Sequence, residues 1–148
     1  MADFELEKSL NYLSRRFSKK FEDTLLNNFK DAGIGVSIEK WIALAFVTHY
    51  GDMNQQQIGE LLNLDKTAIT RLIDFFEEDG CVNRKIDLDD KRNKLLKITE
   101  RGESMYEMLS PIVSKTLDEA YRGISQEEIE TTRSVLMRLF KNLDVSDN

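Results

Sequence analysis

Apolar residues recur every three or four positions along most of this chain, and the rhythm gives way to a different one between Cys81 and Ile98. A period near 3.6 lays one apolar stripe along a helix and does not fit a pleated strand. The chain therefore reads as mostly helical. Pro111 is the single proline and there are seven glycines in 148 residues, too few for a loop-rich or all-β protein. The length suits one ordinary domain.

Residues Phe4 to Phe29 predict one long helix, with Leu6, Leu10, Leu13, Phe17 and Phe21 on one side. Gly33 and Gly35 interrupt the pattern. Ser37 is placed to cap a second helix carrying Trp41, Leu44, Ala45 and Thr48, which ends at Gly51. Asn54 and Gln57 have the spacing of a capping box, and Ile58, Leu61 and Leu62 give the short helix that follows a buried stripe. A turn then leads to "LDKTAITRLIDFFEEDG", Leu64 to Gly80, with Asp65 as its cap. "CVNRKI" and "KLLKI" read as two strands around the polar "DLDDKRN". Thr99 caps a further helix marked by Met105, Met108, Leu109, Ile112, Leu117 and Tyr121, in which Pro111 predicts a kink or weak point. "SQEE" from Ser125 is a second capping box, followed by Ile129, Thr132, Leu136, Leu139 and Leu143.

This order predicts a mainly α fold with a small β-hairpin wing. A winged helix-turn-helix occupies about 37–100, and long helices flank it over 1–32 and 101–148 in a single domain. The apolar stripes of the flanking helices are wide for one chain to cover, and a partner chain is the natural cover.

Net charge is −6, which alone argues against a nucleic-acid binder. The charge is unevenly spread, however. Arg84, Lys85, Lys91, Arg92, Lys94 and Lys97 outnumber Asp87, Asp89 and Asp90 in one short segment. Screening makes only nearby charges count, so distribution outweighs the sum.

The helix after Asp65 buries Ile69, Leu72, Ile73 and Phe76 by its spacing. Its other face carries Lys66, Thr67, Thr70, Arg71 and Asp74. On its own this is equally a solvated surface. With a short helix before it and a basic hairpin after it, the pattern suits a recognition helix in the major groove. Lysine and arginine match guanine O6 and N7, and threonine offers a hydroxyl and a methyl. Glu77, Glu78 and Asp79 then have to point out of the groove.

Residues 37–105, from "SIEKWIALAF" through "LDKTAITRLID" and "DLDDKRN" to "KITERGESM", resemble the MarR family of winged-helix transcription regulators. The resemblance implies a homodimer on a pseudo-palindromic double-stranded operator, one recognition helix per half-site. Lys66, Thr67, Ala68, Thr70 and Arg71 would meet bases or phosphates. Arg92 would be the wing arginine in the minor groove, with Asp90 as the acid that braces it. At least one of the three wing acids should pair with a lysine or arginine. Small aromatic or anionic effectors of the family point to a cleft that Tyr12, Phe17, Trp41, Phe46 and Met105 could line, although plain core is the commoner fate of such residues. Three positions depart from the family: Leu88 for proline, Phe75 for a basic residue, and Lys40 for glutamine.

Other chemistries find little support. His49 is the only histidine, so no two-histidine metal site can form, and no glycine-rich phosphate loop occurs. Lys91 and Arg92 spoil "DLDD" as a calcium loop. No metal, cofactor or enzymatic activity is expected. One cysteine, Cys81, excludes a disulfide framework and reads as a small buried apolar residue in a cytoplasmic protein. No apolar run long enough for a membrane and no signal peptide are seen. The rival functions are a winged-helix protein-interaction module that has lost DNA binding, and a ligand or redox sensor with a secondary DNA role.

Overall fold

The computed structural model describes residues 5–144. Among these residues there are six α-helices: α1 (Leu10–Asp31), α2 (Ile38–Tyr50), α3 (Gln55–Leu62), α4 (Lys66–Glu78), α5 (Glu100–Ala120) and α6 (Gln126–Asp144). Three short strands, β1 (Met53–Asn54), β2 (Val82–Ile86) and β3 (Lys94–Ile98), form an antiparallel sheet in the order β1-β3-β2. This is the mainly helical fold with a β-hairpin wing that the spacing predicts. The chain divides into two compact units, Met1–Thr116 and Leu117–Asn148. Among the described residues no helix is long and apolar enough to cross a membrane.

The helix boundaries follow their caps. Ser37 Oγ accepts from Lys40 N at 3.1 Å, and Gly51, at φ +79°, ends α2. Asn54 and Gln57 exchange both bonds of a capping box, at 2.8 and 2.9 Å. Thr99 Oγ1 accepts from Gly102 N at 3.1 Å and starts α5. Ser125 and Glu128 close the last box at 2.8 and 3.2 Å. Each cap satisfies backbone N–H groups that the first helical turn leaves without partners.

Several expectations need correction. The expected helix start at Phe4 lies outside the described residues, and within them the helix is not continuous from that end. A 3-10 turn over Leu6–Lys8 comes first, and Ser9 begins α1 afresh by accepting from Tyr12 N at 3.3 Å. A serine competes for backbone groups and suits a cap better than a helix interior. In α2 the buried face is Lys40, Ala43, Leu44 and Val47, with Thr48 exposed, so the stripe is rotated from the one centred on Trp41. Leu61 is exposed, and Gly59 takes its place beside Ile58 under the turn. Pro111 does not interrupt α5. Pro111 and Glu107 are both exposed, so the carbonyl that loses its donor is within reach of water. Strand β1 escapes a pattern search because two residues show no alternation.

The core of the first unit gathers Leu25 and Phe29 of α1, Leu44 and Val47 of α2, Ile58 of α3, Ile69, Ile73 and Phe76 of α4, Leu96 of β3 and Leu109 of α5. The first half of α1 stays bare, with Leu10, Leu13 and Phe17 exposed. In the second unit α6 buries no residue, and Met137, Leu139, Phe140 and Leu143 are exposed.

Gly102 is where α5 meets the start of the wing. A Cβ there would lie 2.2 Å from Cys81 O and 2.7 Å from Ile98 Cγ1. Backbone cannot yield like a flexible side chain, so Gly102→Ala should destabilise by about 2–3 kcal/mol in urea unfolding. Gly59→Ala meets nothing closer than 3.5 Å and should be neutral or slightly stabilising.

Candidate nucleic-acid interface

Helix α4 has two unlike halves. At its start Asp65 Oδ1 accepts from Ala68 N at 2.8 Å, which fixes the first turn. Lys66, Thr67 and Arg71 are exposed, while Ala68 and Thr70 are half-buried. Neither Lys66 nor Arg71 makes an ion pair among the described residues. Asn63, in the left-handed conformation at φ 53°, and the 2.9 Å bond from Leu64 N to Gly59 O make the tight turn from α3. That turn sets the angle at which α4 leaves the body.

At its other end α4 is anchored. Gly80 N bonds Glu77 O at 3.0 Å and Cys81 N bonds Phe76 O at 2.9 Å, with Gly80 at φ +73°. This is a Schellman closure, and it needs the positive φ that glycine adopts freely. Of the three acids expected to point out of the groove, Glu77 and Asp79 are bound by cations of other elements, and Glu78 is exposed without an ion pair among the described residues. Arg84 of β2 binds Glu77 and reaches Asp74 Oδ1 at 2.7 Å and Gln55 Oε1 at 3.4 Å. Asp79 binds the Lys40 ammonium and takes Arg101 Nη2 at 3.3 Å.

Lys40 is 5% exposed, a buried cation in the first turn of α2. Its Nζ also lies 4.8 Å from the centroid of Phe75 and 5.4 Å from that of Phe76. A buried ammonium is costly unless it is paired and bonded, and the negative end of α4 with the two ring faces adds to what Asp79 supplies. The Lys40 hydrogen bond holds the Asp79 carboxyl below its ordinary value, against the opposing effect of burial. Phe75 thus roofs the cation.

The wing loop 87–93 is held by its own acids. Asp87 Oδ1 accepts from Asp89 N at 2.9 Å, and Asp90 Oδ1 accepts from Arg92 N at 3.0 Å. Asp90 therefore touches Arg92 through the backbone. The expected pairing of a wing acid with lysine or arginine is not found among the described residues; backbone N–H groups take that role. This leaves the Arg92 guanidinium exposed at the tip. On the strands, Lys97 lies near Lys85 and pushes its pKa down, as like charges do.

Lys66 and Arg92 line one open groove of about 1080 Å³, together with Gln55, Gln56, Asn93 and Lys94. Thr67, Thr70, Arg71 and Asp74 share the next face of α4 by helical spacing and do not line it. No aromatic pair or hydrogen bond among the described residues joins two of the residues expected at an effector. Trp41 stacks on Tyr106 at 5.4 Å, Phe17 packs on Phe21 at 6.0 Å, and Phe46 stacks on Tyr50 at 5.8 Å. Met105 lies by Cys81, their sulfurs 4.0 Å apart, and Tyr12 is half-buried on α1. Cys81 is buried, and burial raises its pKa, as expected of an inert thiol. His49 is exposed, edge-on to Tyr50.

Three structural residues escaped the sequence: Lys40, Arg84 and Gln55. Lys40 had a signal, since Ala43, Leu44 and Val47 stand three, four and seven positions on, in one stripe with it. Arg84 and Gln55 had none, because their partners lie far along the chain.

The fold and this surface define a winged helix-turn-helix protein. The model of the MarR family matches residues 36–94. Solved structures agree on the fold. A MarR-family transcriptional regulator from Silicibacter pomeroyi superposes at TM-score 0.83 with 24% identity, covering 100% of this chain and 99% of its own. A putative MarR-family regulator from Listeria monocytogenes, complexed with 26mer DNA, gives 0.80 at 21% identity over 92% of this chain and 89% of its own. CouR from Rhodococcus jostii, bound to p-coumaroyl-CoA, gives 0.80 at 23% identity, covering 92% and 94%.

Removing the charge on Asp79 strands the Lys40 ammonium. Asp79→Asn should cost about 3 kcal/mol by urea unfolding, the low end for breaking a buried pair because Asp79 is partly exposed. The wild-type pair should contribute fully above pH 3.8, the ordinary aspartate value, and fade as pH falls below it towards the lowered folded value. The variant should lack that acid limb.

Proposed function

We propose that this chain is a sequence-specific DNA-binding transcription regulator of the MarR kind, a homodimer that represses and is released by a small molecule. One observation carries the reading. The exposed cations Lys66 and Arg92, from the recognition helix and the wing tip, border one groove, and Arg84 binds Asp74 and Glu77 on the far half of the same helix. A duplex can then approach the basic half of α4 without meeting Asp74 or Glu77 as free anions.

In this reading Lys66, Thr67, Ala68, Thr70 and Arg71 meet the major groove, and Arg92 enters the minor groove, where negative potential is enhanced. Asp90 shapes the loop that carries Arg92. The winged part, about 37–100, is the reading head. The helices over 1–32 and 101–148 dimerise, each exposed apolar stripe being covered by a partner chain. Two recognition helices then stand about 34 Å apart, one turn of B-DNA. The DNA complex of the Listeria neighbour and the aromatic thioester of CouR support the two halves of the proposal. Tyr12, Phe17, Trp41, Phe46 and Met105 remain the proposed effector contacts. No catalytic role is assigned to any residue.

Arg92→Ala should weaken operator binding at least tenfold in a gel shift while the variant stays dimeric by light scattering. Wild-type affinity should fall steeply between 50 and 200 mM salt as phosphate contacts release counterions. An unchanged shift for Arg92→Ala would remove the wing from the interface.

A further inference from the structure

A polar relay joins the wing to the recognition helix through Gln55, the first residue of α3. Its polarity is set at one end. Arginine has N–H donors and no acceptor. Arg84 Nη2 lies 3.4 Å from the Gln55 side chain, so that contact requires the amide oxygen, Oε1. The other end of the carboxamide is then the NH2 group, and Gln55 Nε2 lies 2.7 Å from Thr70 Oγ1. A donor at that place obliges the hydroxyl to accept. The hydroxyl proton goes instead to Lys66 O, one turn back, at 2.7 Å. Asp74 and Glu77 hold Arg84 in place and so keep the relay in one orientation.

Thr70 therefore has one hydrogen-bonding capacity left, a lone pair. Its helix neighbours Thr67 and Arg71 are exposed, and Thr70 is itself only half-buried. We propose that Gln55 and Arg84 are positioning residues that make Thr70 a hydrogen-bond acceptor towards DNA, so that it selects an exocyclic amino group, adenine N6 or cytosine N4. Guanine N7 and O6 and thymine O4 are acceptors in the major groove and are rejected at that position. This inference rests on the DNA-binding reading and adds to it the chemical class of one base.

The test is selection of duplexes from a randomised pool by the full chain, followed by binding to the selected site. Thr70→Val keeps the shape and removes the hydroxyl, and it should flatten the preference at one base pair per half-site by about tenfold. That base pair is the one Thr70 reads, and the wild type should prefer adenine or cytosine there. Thr70→Ser should keep the preference. Gln55→Met, close in volume, frees the hydroxyl to turn, and guanine or thymine should become tolerated at the same base pair. The salt slope should not change, since no phosphate contact is lost. Gln55→Ala replaces Gln55→Met if melting shows the latter unfolded.

A preference that survives Gln55→Met and Gln55→Ala but not Thr70→Val would overturn the relay. So would guanine as the preferred base at the Thr70 position. A wild type that selects a site unaffected by Thr70→Val sinks this inference alone. A wild type that selects no duplex at low salt sinks the DNA-binding reading with it.

Discussion

An ammonium group lies inside the winged unit, and three helices are arranged around it. Lys40 comes from α2, its counter-charge Asp79 is the C-cap of α4, and Arg101 of α5 reaches the same carboxylate. Apolar packing fixes how closely helices approach but tolerates small rotations and slides. A charge with a single neutralising partner does not, because losing that partner leaves an uncompensated ion in a poor solvent. The pair therefore fixes where the last turn of α4 ends. Gly80 then turns the chain at once into Cys81 and β2, and Gly102 lets α5 close over Cys81. Helix end, wing start and α5 start all meet within a few residues of that carboxylate.

With one end of α4 immobile, the charges along it divide by place. The far half carries Asp74, Glu77 and Asp79, each bound to a cation from another element. The near half carries Lys66 and Arg71 without such partners. A helix whose sequence looks mixed thus carries exposed cations at its start and mostly paired acids at its end, with Glu78 the exception among the described residues. The net charge of −6 describes the whole chain and not this surface. Charges further away than about 8 Å are largely screened at physiological salt, so the nearest acids decide the approach. Arg84 holds Asp74 and Glu77, and Asp65 beside Lys66 binds Ala68 N.

The elements were legible because their ends are chemical. Ser37, Asn54, Asp65, Thr99 and Ser125 each cap the helix expected of them, and the box at Asn54 and Gln57 makes both its bonds. The winged architecture followed from element order. Burial was less legible. Lys40 falls in the apolar stripe of α2 by spacing, yet a lysine does not read as core without Asp79, a residue 39 positions away. Leu61 has the composition of core and lies exposed. The candidate site was legible as residue types on a helix face and at a hairpin tip. The bracing was not, because Gln55, Thr70 and Arg84 come together only in the folded chain. Asp90 shows the limit well: an acid beside an arginine suggests an ion pair, but it binds the arginine's backbone N–H.

That detail bears on how the wing works. A carboxylate bound to the guanidinium would neutralise it and have to be displaced when phosphate or bases arrive. A carboxylate spent on the backbone shapes the loop and leaves the cation whole. The same division holds on α4, where Asp65 spends its charge on Ala68 N and Lys66 beside it keeps its own. In both places the acid next to a free cation is consumed by a main-chain N–H two or three residues on. Short polar side chains favour such local bonds, and longer glutamates reach across to arginine, as Glu77 does. Length alone does not decide it: Asp74 also reaches Arg84, and Asp79 binds the buried Lys40, whereas Asp65 and Asp90 each have a backbone N–H two or three residues on.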